Sequence, residues 1–272
     1  MARASLSLGD VEVTVVCEGF AKLPLDEELP EAEVEWADER AEHPWAFPDD
    51  RTWAWHVHAF AIRMPSAVVM VDTGLGGFPP YRPWTERTDR DVALAAAGVE
   101  PAEVTAVVHT HLHADHAGGA VVDGAPRFPN AVHHVHPADW SYFGDPDRIG
   151  GYTARAPMAE LERLGMLDLR EEDHEVTDGL RVEHAPGHTP GHRVALVRSH
   201  DAHLLLTGDL LHVPIQVAMP DSPSSHDQDA EEGCRSRVAL LERARRGGWA
   251  VAVSHFDRPF GTVGAQGWRS GP

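Results

Sequence analysis

His111-Leu112-His113-Ala114-Asp115-His116 places four potential metal ligands within six residues. In an extended segment residues i and i+2 point the same way. His111 and His113 can therefore grip one ion while Asp115 and His116 turn towards a second. Imidazole and carboxylate suit zinc, iron, cobalt or manganese, and the stretch has no thiolate to narrow the choice. Histidine is abundant here, with 19 in the chain. Abundance alone scatters histidines, whereas this spacing concentrates them.

Three later positions can complete a site. His188 sits in Pro186-Gly187-His188-Thr189-Pro190-Gly191-His192, where glycine and proline make a tight loop able to present an imidazole. Asp209 ends the apolar run Leu204-Leu205-Leu206-Thr207-Gly208, and His255 ends Trp249-Ala250-Val251-Ala252-Val253-Ser254. A carboxylate or imidazole at the end of a core strand is costly to leave unpaired. Two metal ions would satisfy them all. Asp72, at the end of Ala67–Val71, either caps a turn or accepts a hydrogen bond from a ligand imidazole. His109, His133, His134, His136, His184 and His192 match no ligand position and read as surface or supporting residues.

The elements that must position these groups follow from periodicity. Residues 6–16 alternate around Gly9-Asp10 as a hairpin, and 53–63 and 67–74 read as two strands. Strands are also expected at 104–108, 129–136, 180–185, 193–198, 203–207 and 249–254, and helices at 91–98, from 137 onwards, at 156–164 and at 229–246. Residues 21–52 are rich in acids and prolines (Pro24, Pro30, Pro44, Pro48), with Trp36, Trp45 and Phe47 interspersed. They read as a surface loop, or as a lid or dimer arm. The order of elements suggests an α/β protein with two packed sheets and helices outside.

The 272 residues suffice for one large core over 1–272. With 43 acidic against 23 basic side chains, the formal charge of −20 opposes nucleic-acid binding. Arg243, Arg245 and Arg246 on one late helix are the nearest thing to a basic patch. Cys17 and Cys234 lie far apart, which reads as reduced thiols. No apolar signal core or membrane-length run is seen, so a soluble cytoplasmic protein without membrane partners is expected.

HxHxDH followed by PGHTPGH, TGD and a late SH, with VDTG at residues 71–74, resembles the metallo-β-lactamase-fold hydrolases over roughly residues 53 to 257. The resemblance implies an αββα sandwich of two mixed sheets flanked by helices. It implies a dinuclear site, with zinc the first expectation and iron, cobalt or manganese the alternatives. His111, His113 and His188 would bind one ion, and Asp115, His116 and His255 the other. Asp209 would bridge them, with a hydroxide between the ions.

Within that family a bridging Asp209 and the absence of a cysteine ligand argue against a β-lactamase. Only 17 residues follow His255, too few for the glutathione-binding domain of glyoxalase II. What remains resembles the acyl-homoserine lactone lactonases and methyl parathion hydrolase-like enzymes, in which dimers are common. Lactonases of this type commonly carry a tyrosine three residues after the bridging aspartate. Here His212 stands there, as in the phosphotriesterase-like members. The expectation is hydrolysis of a small neutral ester or lactone, with Asp115, Asp209 and His212 as catalytic residues. Phosphotriester hydrolysis is the alternative, and a non-hydrolytic metal-binding protein a more distant one. Trp53, Trp55, Phe60 and the aromatics of 36–47 are expected as pocket walls, or as ordinary core.

Overall fold

A computed structural model of the chain describes residues 4–29, 34–145 and 152–271. Met1, Ala2, Arg3 and Pro30 therefore lie outside the described residues. The first sheet contains Ser5–Leu8 (β1), Val11–Pro24 (β2), Thr52–Arg63 (β3), Val68–Val71 (β4), Trp84–Arg87 (β5) and Val104–Val108 (β6). After a short ribbon of Val121–Val122 (β7) and Ala125–Pro126 (β8), it is completed by Val132–Val135 (β9) and Leu167–Leu169 (β10). The second sheet contains His174–Thr177 (β11), Leu180–His184 (β12), Arg193–Ser199 (β13), Ala202–Leu206 (β14), Ala250–Ala252 (β15), Phe260–Val263 (β16) and Trp268–Ser270 (β17). Both sheets are mixed: β4, β6, β9 and β10 pair in parallel, as do β14 and β15, while the remaining pairs are antiparallel.

The helices are Trp36–Glu42 (α1), Arg90–Ala96 (α2), Ala114–Ala117 (α3), Pro137–Tyr142 (α4), Arg155–Arg163 (α5), Ile215–Ala218 (α6) and Ala230–Gly247 (α7). Between the sheets, Val13, Phe60, Ile62 and Val71 pack against Val182, Val197, Leu204 and Leu206. The opposite face of the second sheet (Val194, Leu196, Leu205) lies under Leu240, Leu241 and Ala244 of α7. Ala61, Val68 and Met70 on the outside of the first sheet lie under Ala93, Leu94 and Ala97 around α2. Strands covered on both faces must be apolar in continuous runs, which is what 106–108 and 204–206 show. The αββα sandwich is thus present. Asp229 caps α7 by accepting from the Glu232 amide, and Gly248, at φ +62°, ends it.

Most expected elements stand within a residue or two. Strand β2 runs on to Pro24, so residues 21–24 are sheet rather than loop, and residues 36–42 form α1. Leu25, Leu29, Ala46 and Phe47 are buried against Trp53, Trp55 and Val57, so the described residues around them pack as a wall. Strands β5, β10, β11, β16 and β17 escaped the periodicity reading. Arg243 pairs with Glu183, and Arg245 and Arg246 pair with Glu242, which dissolves the basic patch. Among the described residues no helix is long and apolar enough to cross a membrane.

Glu18 lies at a bulge of β2 between Cys17 and Gly19, and burial pushes its carboxyl up from 4.5 to about 7. The unfolded chain then loses its proton at lower pH than the folded one. Stability contributed by this group is present below about pH 4.5 and lost as pH rises to about 7. Glu18→Gln should flatten that part of the stability curve, raising the denaturant midpoint at pH 7 relative to pH 4.5 when each is compared with wild type. An unchanged slope would show that Glu18 titrates normally.

Candidate metal centre

Asp72, His111, His188, Asp209 and His255 all come from segments that follow strands, namely β4, β6, β12, β14 and β15, at one edge of the sandwich. His111 and His113 flank the buried Leu112 in an extended stretch, and His113 precedes α3, which carries Asp115 and His116. The turn from extended to helical backbone divides the motif between two directions.

Two groups form. His111 Nε2, His113 Nδ1 and His188 Nε2 lie 2.9, 3.0 and 3.2 Å apart, with Asp209 Oδ2 at 3.3 Å from His188 and 3.7 Å from His111. A tetrahedral ion with nitrogen bonds of about 2.0–2.1 Å needs edges of roughly 3.3 Å, so these donors fit one. On the other side, Asp209 Oδ1 lies 2.9 Å from His116 Nε2 and 3.0 Å from His255 Nε2. Asp115 Oδ2 is 3.2 Å from His116 Nε2. Asp209 thus turns one oxygen to each group.

Each ring is aimed from behind. His116 Nδ1 lies 2.7 Å from Asp72 Oδ2, so its Nε2 faces inwards. Asp72 also accepts from the Thr110 amide and hydroxyl, both at 2.8 Å. It does so from φ +62°, a conformation uncommon outside glycine but tolerated by aspartate. His255 Nδ1 donates to the His56 carbonyl at 2.6 Å. His192 Nε2 accepts from the Asp209 amide at 3.0 Å. Gly208 makes that approach feasible, since a Cβ there would lie 2.7 Å from His192 Nε2 and 2.8 Å from Thr110 Cβ. His188 Nδ1 faces Asp227 at 3.6 Å, and Asp227 is held by the buried Arg237, which also donates to the carbonyls of Leu210 and Ser222.

The electrostatics call for cations. Burial holds His111 and His188 well below the ordinary histidine range and lowers His113 to about 4, so these rings are neutral and offer lone pairs. Burial also opposes ionisation of Asp209, but His116, His255, His111 and His188 outweigh it and hold the carboxyl well below the usual range. Although His116 Nε2, His255 Nε2 and Asp209 Oδ1 lie within about 3 Å, none is aligned for a hydrogen bond. All three atoms face one shared space. Buried polar atoms left this way need a partner, and the donor set suits two divalent ions.

The two groups form the floor of a cavity of about 250 Å³ whose sides include Leu23, Trp53, Trp55, Tyr81 and Tyr152. Trp53 and Trp55 pack against the His255 ring as the sequence suggests. Phe60 does not line the cavity; it is core between the sheets, because strand alternation turns it away from Trp53 and Trp55. Trp36, Trp45 and Phe47 also lie off the cavity, within the cluster behind it. His212 Nε2 is on the cavity wall, 3.4 Å from Asp209 Oδ2. Of the six unassigned histidines only His184 is exposed; His109, His133, His134, His136 and His192 are buried, correcting the surface reading for those five.

The sequence carried no signal for Glu28 and His226, nor for Leu23, Tyr81 and Tyr152. Glu28, fully buried, reaches from the 21–52 segment to within 3.0 Å of His226 Nε2 and 3.5 Å of His212 Nδ1. Burial alone would lower His226, but the Glu28 carboxylate outweighs it and pushes the ring up to about 9. Both histidines border the cavity, and one carboxylate holds the His226 ring while facing that of His212.

A profile of the metallo-beta-lactamase superfamily matches residues 52–255. The N-acyl homoserine lactonase AttM of Azorhizobium caulinodans is 37% identical over 126 residues, 43% of this chain and 44% of that protein. The chain thus spans less than half the length of these curated relatives. An N-acyl homoserine lactonase from a Bacillus species is 26% identical over 222 residues, covering 66% of this chain and 84% of that protein. Among solved structures, the hydrolase AbOPH of the beta-lactamase superfamily superposes with a TM-score of 0.85 at 19% identity, covering 100% of this chain and 97% of the other. AidC, a dizinc quorum-quenching lactonase solved with the product N-hexanoyl-L-homoserine, superposes with a TM-score of 0.82 at 22% identity and the same coverages. These two likenesses bear on the fold. With a profile match that runs from the start of β3 to His255, over the strands and turns that bring the histidines together, the chain belongs to the metallo-beta-lactamase superfamily.

Proposed function

We propose that this chain is a dinuclear metal-dependent hydrolase that opens the lactone ring of N-acyl homoserine lactones or closely related neutral lactones and esters. The observation that carries the reading is Asp209, whose two oxygens divide between two ligand groups on the floor of an apolar-walled cavity. The names of the curated relatives supply the substrate class. In this reading His111, His113 and His188 would hold one ion and Asp115, His116 and His255 the other, with Asp209 offering one oxygen to each group. Two divalent ions bound there would polarise the scissile carbonyl and lower the pKa of a water to near neutrality.

The remaining roles fall to the chain. Trp53, Trp55, Leu23, Tyr81 and Tyr152 receive the apolar part of the substrate and keep bulk water from the carbonyl. His212 presents Nε2 to the cavity while Glu28 faces its Nδ1, so the ring is placed to donate to the oxygen on which negative charge develops. Both oxygens of Asp209 are committed between the two groups. Asp115 borders the cavity and is the carboxylate placed to hand a proton to the departing alkoxide. A water oxygen bonds to the carbonyl carbon as Asp115 takes its proton, and the ester C–O bond breaks. That proton passes to the ring oxygen, which leaves as an alcohol, and the new carboxylic acid ionises, releasing one proton per turnover.

Proton release from an N-acyl homoserine lactone is the test. Zinc-loaded wild type should turn over and Asp209→Ala should fall to background. Well-metallated wild type that hydrolyses a neutral organophosphate but no lactone would overturn the lactone reading. Asp72→Asn should weaken metal binding by about 10–100-fold, because the His116 ring loses its anchor, as measured by competition with a chromophoric chelator. His212→Ala should lower kcat by about 10²-fold with metal content unchanged. A change in KM alone would reduce His212 to a wall residue.

A further inference from the structure

Strands β2 and β3 bring a second set of metal-ligating groups together behind the first. Cys17 stands directly opposite His58 in their antiparallel register, and Phe20 opposite His56. His56 and His58 are two residues apart on one strand and so share a face. One ligand atom each from Cys17, His56 and His58 lies within 4.8 Å of the others. Asp257, from the loop that follows His255, brings Oδ1 to 3.6 Å from His56 Nε2.

The imidazoles are prepared for a cation. His58 Nε2 donates to the Phe256 carbonyl at 2.9 Å, which leaves the lone pair on Nδ1. His56 and His58 are 3% and 4% exposed, and the Nδ1 atoms of both are buried with no hydrogen-bond partner. In His58 a fixed tautomer leaves the other nitrogen unsatisfied, which is the arrangement of a ligand histidine. Cys17, His58 and Asp257 also line a cavity of about 260 Å³, separate from the one over Asp209, through which an ion can enter.

We propose that Cys17, His56, His58 and Asp257 form an additional site for a zinc-class divalent cation, distinct from the Asp209 centre. One thiolate and two imidazoles already converge, and the Asp257 carboxylate beside His56 is the fourth ligand to be drawn in; such a set suits Zn²⁺ and not the oxygen-seeking Mg²⁺ and Ca²⁺. Burial, which pushes the Cys17 thiol up to about 12, keeps it protonated until a cation displaces the proton, so binding releases that proton to solvent. The ligands come from β2, from β3 and from the loop two residues beyond His255. His255 itself donates to the His56 carbonyl. An ion here would tie the His255 loop to the first sheet, a structural staple that does not depend on the lactonase reading.

Cobalt(II) is the probe, because a cysteinate–cobalt charge-transfer band in the near ultraviolet reports sulfur ligation and none of the seven residues of the Asp209 centre carries sulfur. The wild-type protein should show the band and bind one equivalent more than Cys17→Ser, which should lose the band. Cys234→Ser should retain it. Absence of the band in folded, cobalt-loaded wild type, or its persistence in Cys17→Ser, would overturn the site. Alkylation of Cys17, mapped by mass spectrometry, provides a readout on a variant expected to fold, since the Asp257 side chain is 43% exposed. Zinc should slow alkylation in wild type, and less so in Asp257→Asn. Equal rates with and without zinc in wild type would sink the proposal.

Discussion

Asp72, Asp115 and Asp209 are carboxylates buried in one histidine cluster, and a charge in a protein interior persists only where it is compensated. Much of the site's architecture follows from that constraint. His116 lies between all three carboxylates, which outweigh its burial and hold the ring charged well above the ordinary histidine range. A single proton there is a poor match for a cluster with two geometrically separate ligand groups. Two divalent ions match both the charge and the division.

The sandwich supplies the rigidity that such a cluster needs. Strands covered on both faces cannot shift register without moving apolar side chains into the wrong layer, so the loops at their ends are held to within small displacements. Loops projecting from one edge can then be short: Asp209 follows β14 by three residues, and His255 follows β15 by the same number. Arg237, fully buried, extends this control to the opposite side of the cavity. By gathering Asp227 and the carbonyls of Leu210 and Ser222, it fixes the chain between the second sheet and α7.

Much of this was legible in the letters. Strand β6 occupies the expected residues 104–108, and all seven expected ligand positions converge, because metal ligation demands particular residue types at particular strand ends. Asp72 could be read as an anchor for a ligand imidazole on the same ground. Strands β16 and β17, at four and three residues, are too short for period-two alternation to rise above noise. The misplaced Phe60 is different in kind: counting parity from Trp53 and Trp55 along β3 puts it on the other face, so the information was present. Burial of His109 and His133 was not. Their rings stack with nitrogens 2.9 Å apart, a pairing across two strands that composition cannot reveal.

Glu28 marks where local reading stops. An acid in a stretch rich in acids and prolines has the signature of a solvated surface, and nothing within ten residues says otherwise. Its burial is decided by His212 and His226, which reach it from the far end of the chain. A carboxylate placed there costs desolvation that an apolar side chain would avoid, so pure stability does not favour it. What it provides is direction: with one oxygen towards each ring, His212 and His226 present defined faces to the cavity instead of sampling rotamers. The N-terminal wall is therefore coupled to the proposed oxyanion donor through one buried charge. A displacement of residues 25–29 would disorder the polar side of the cavity while leaving the ligand groups around Asp209 intact.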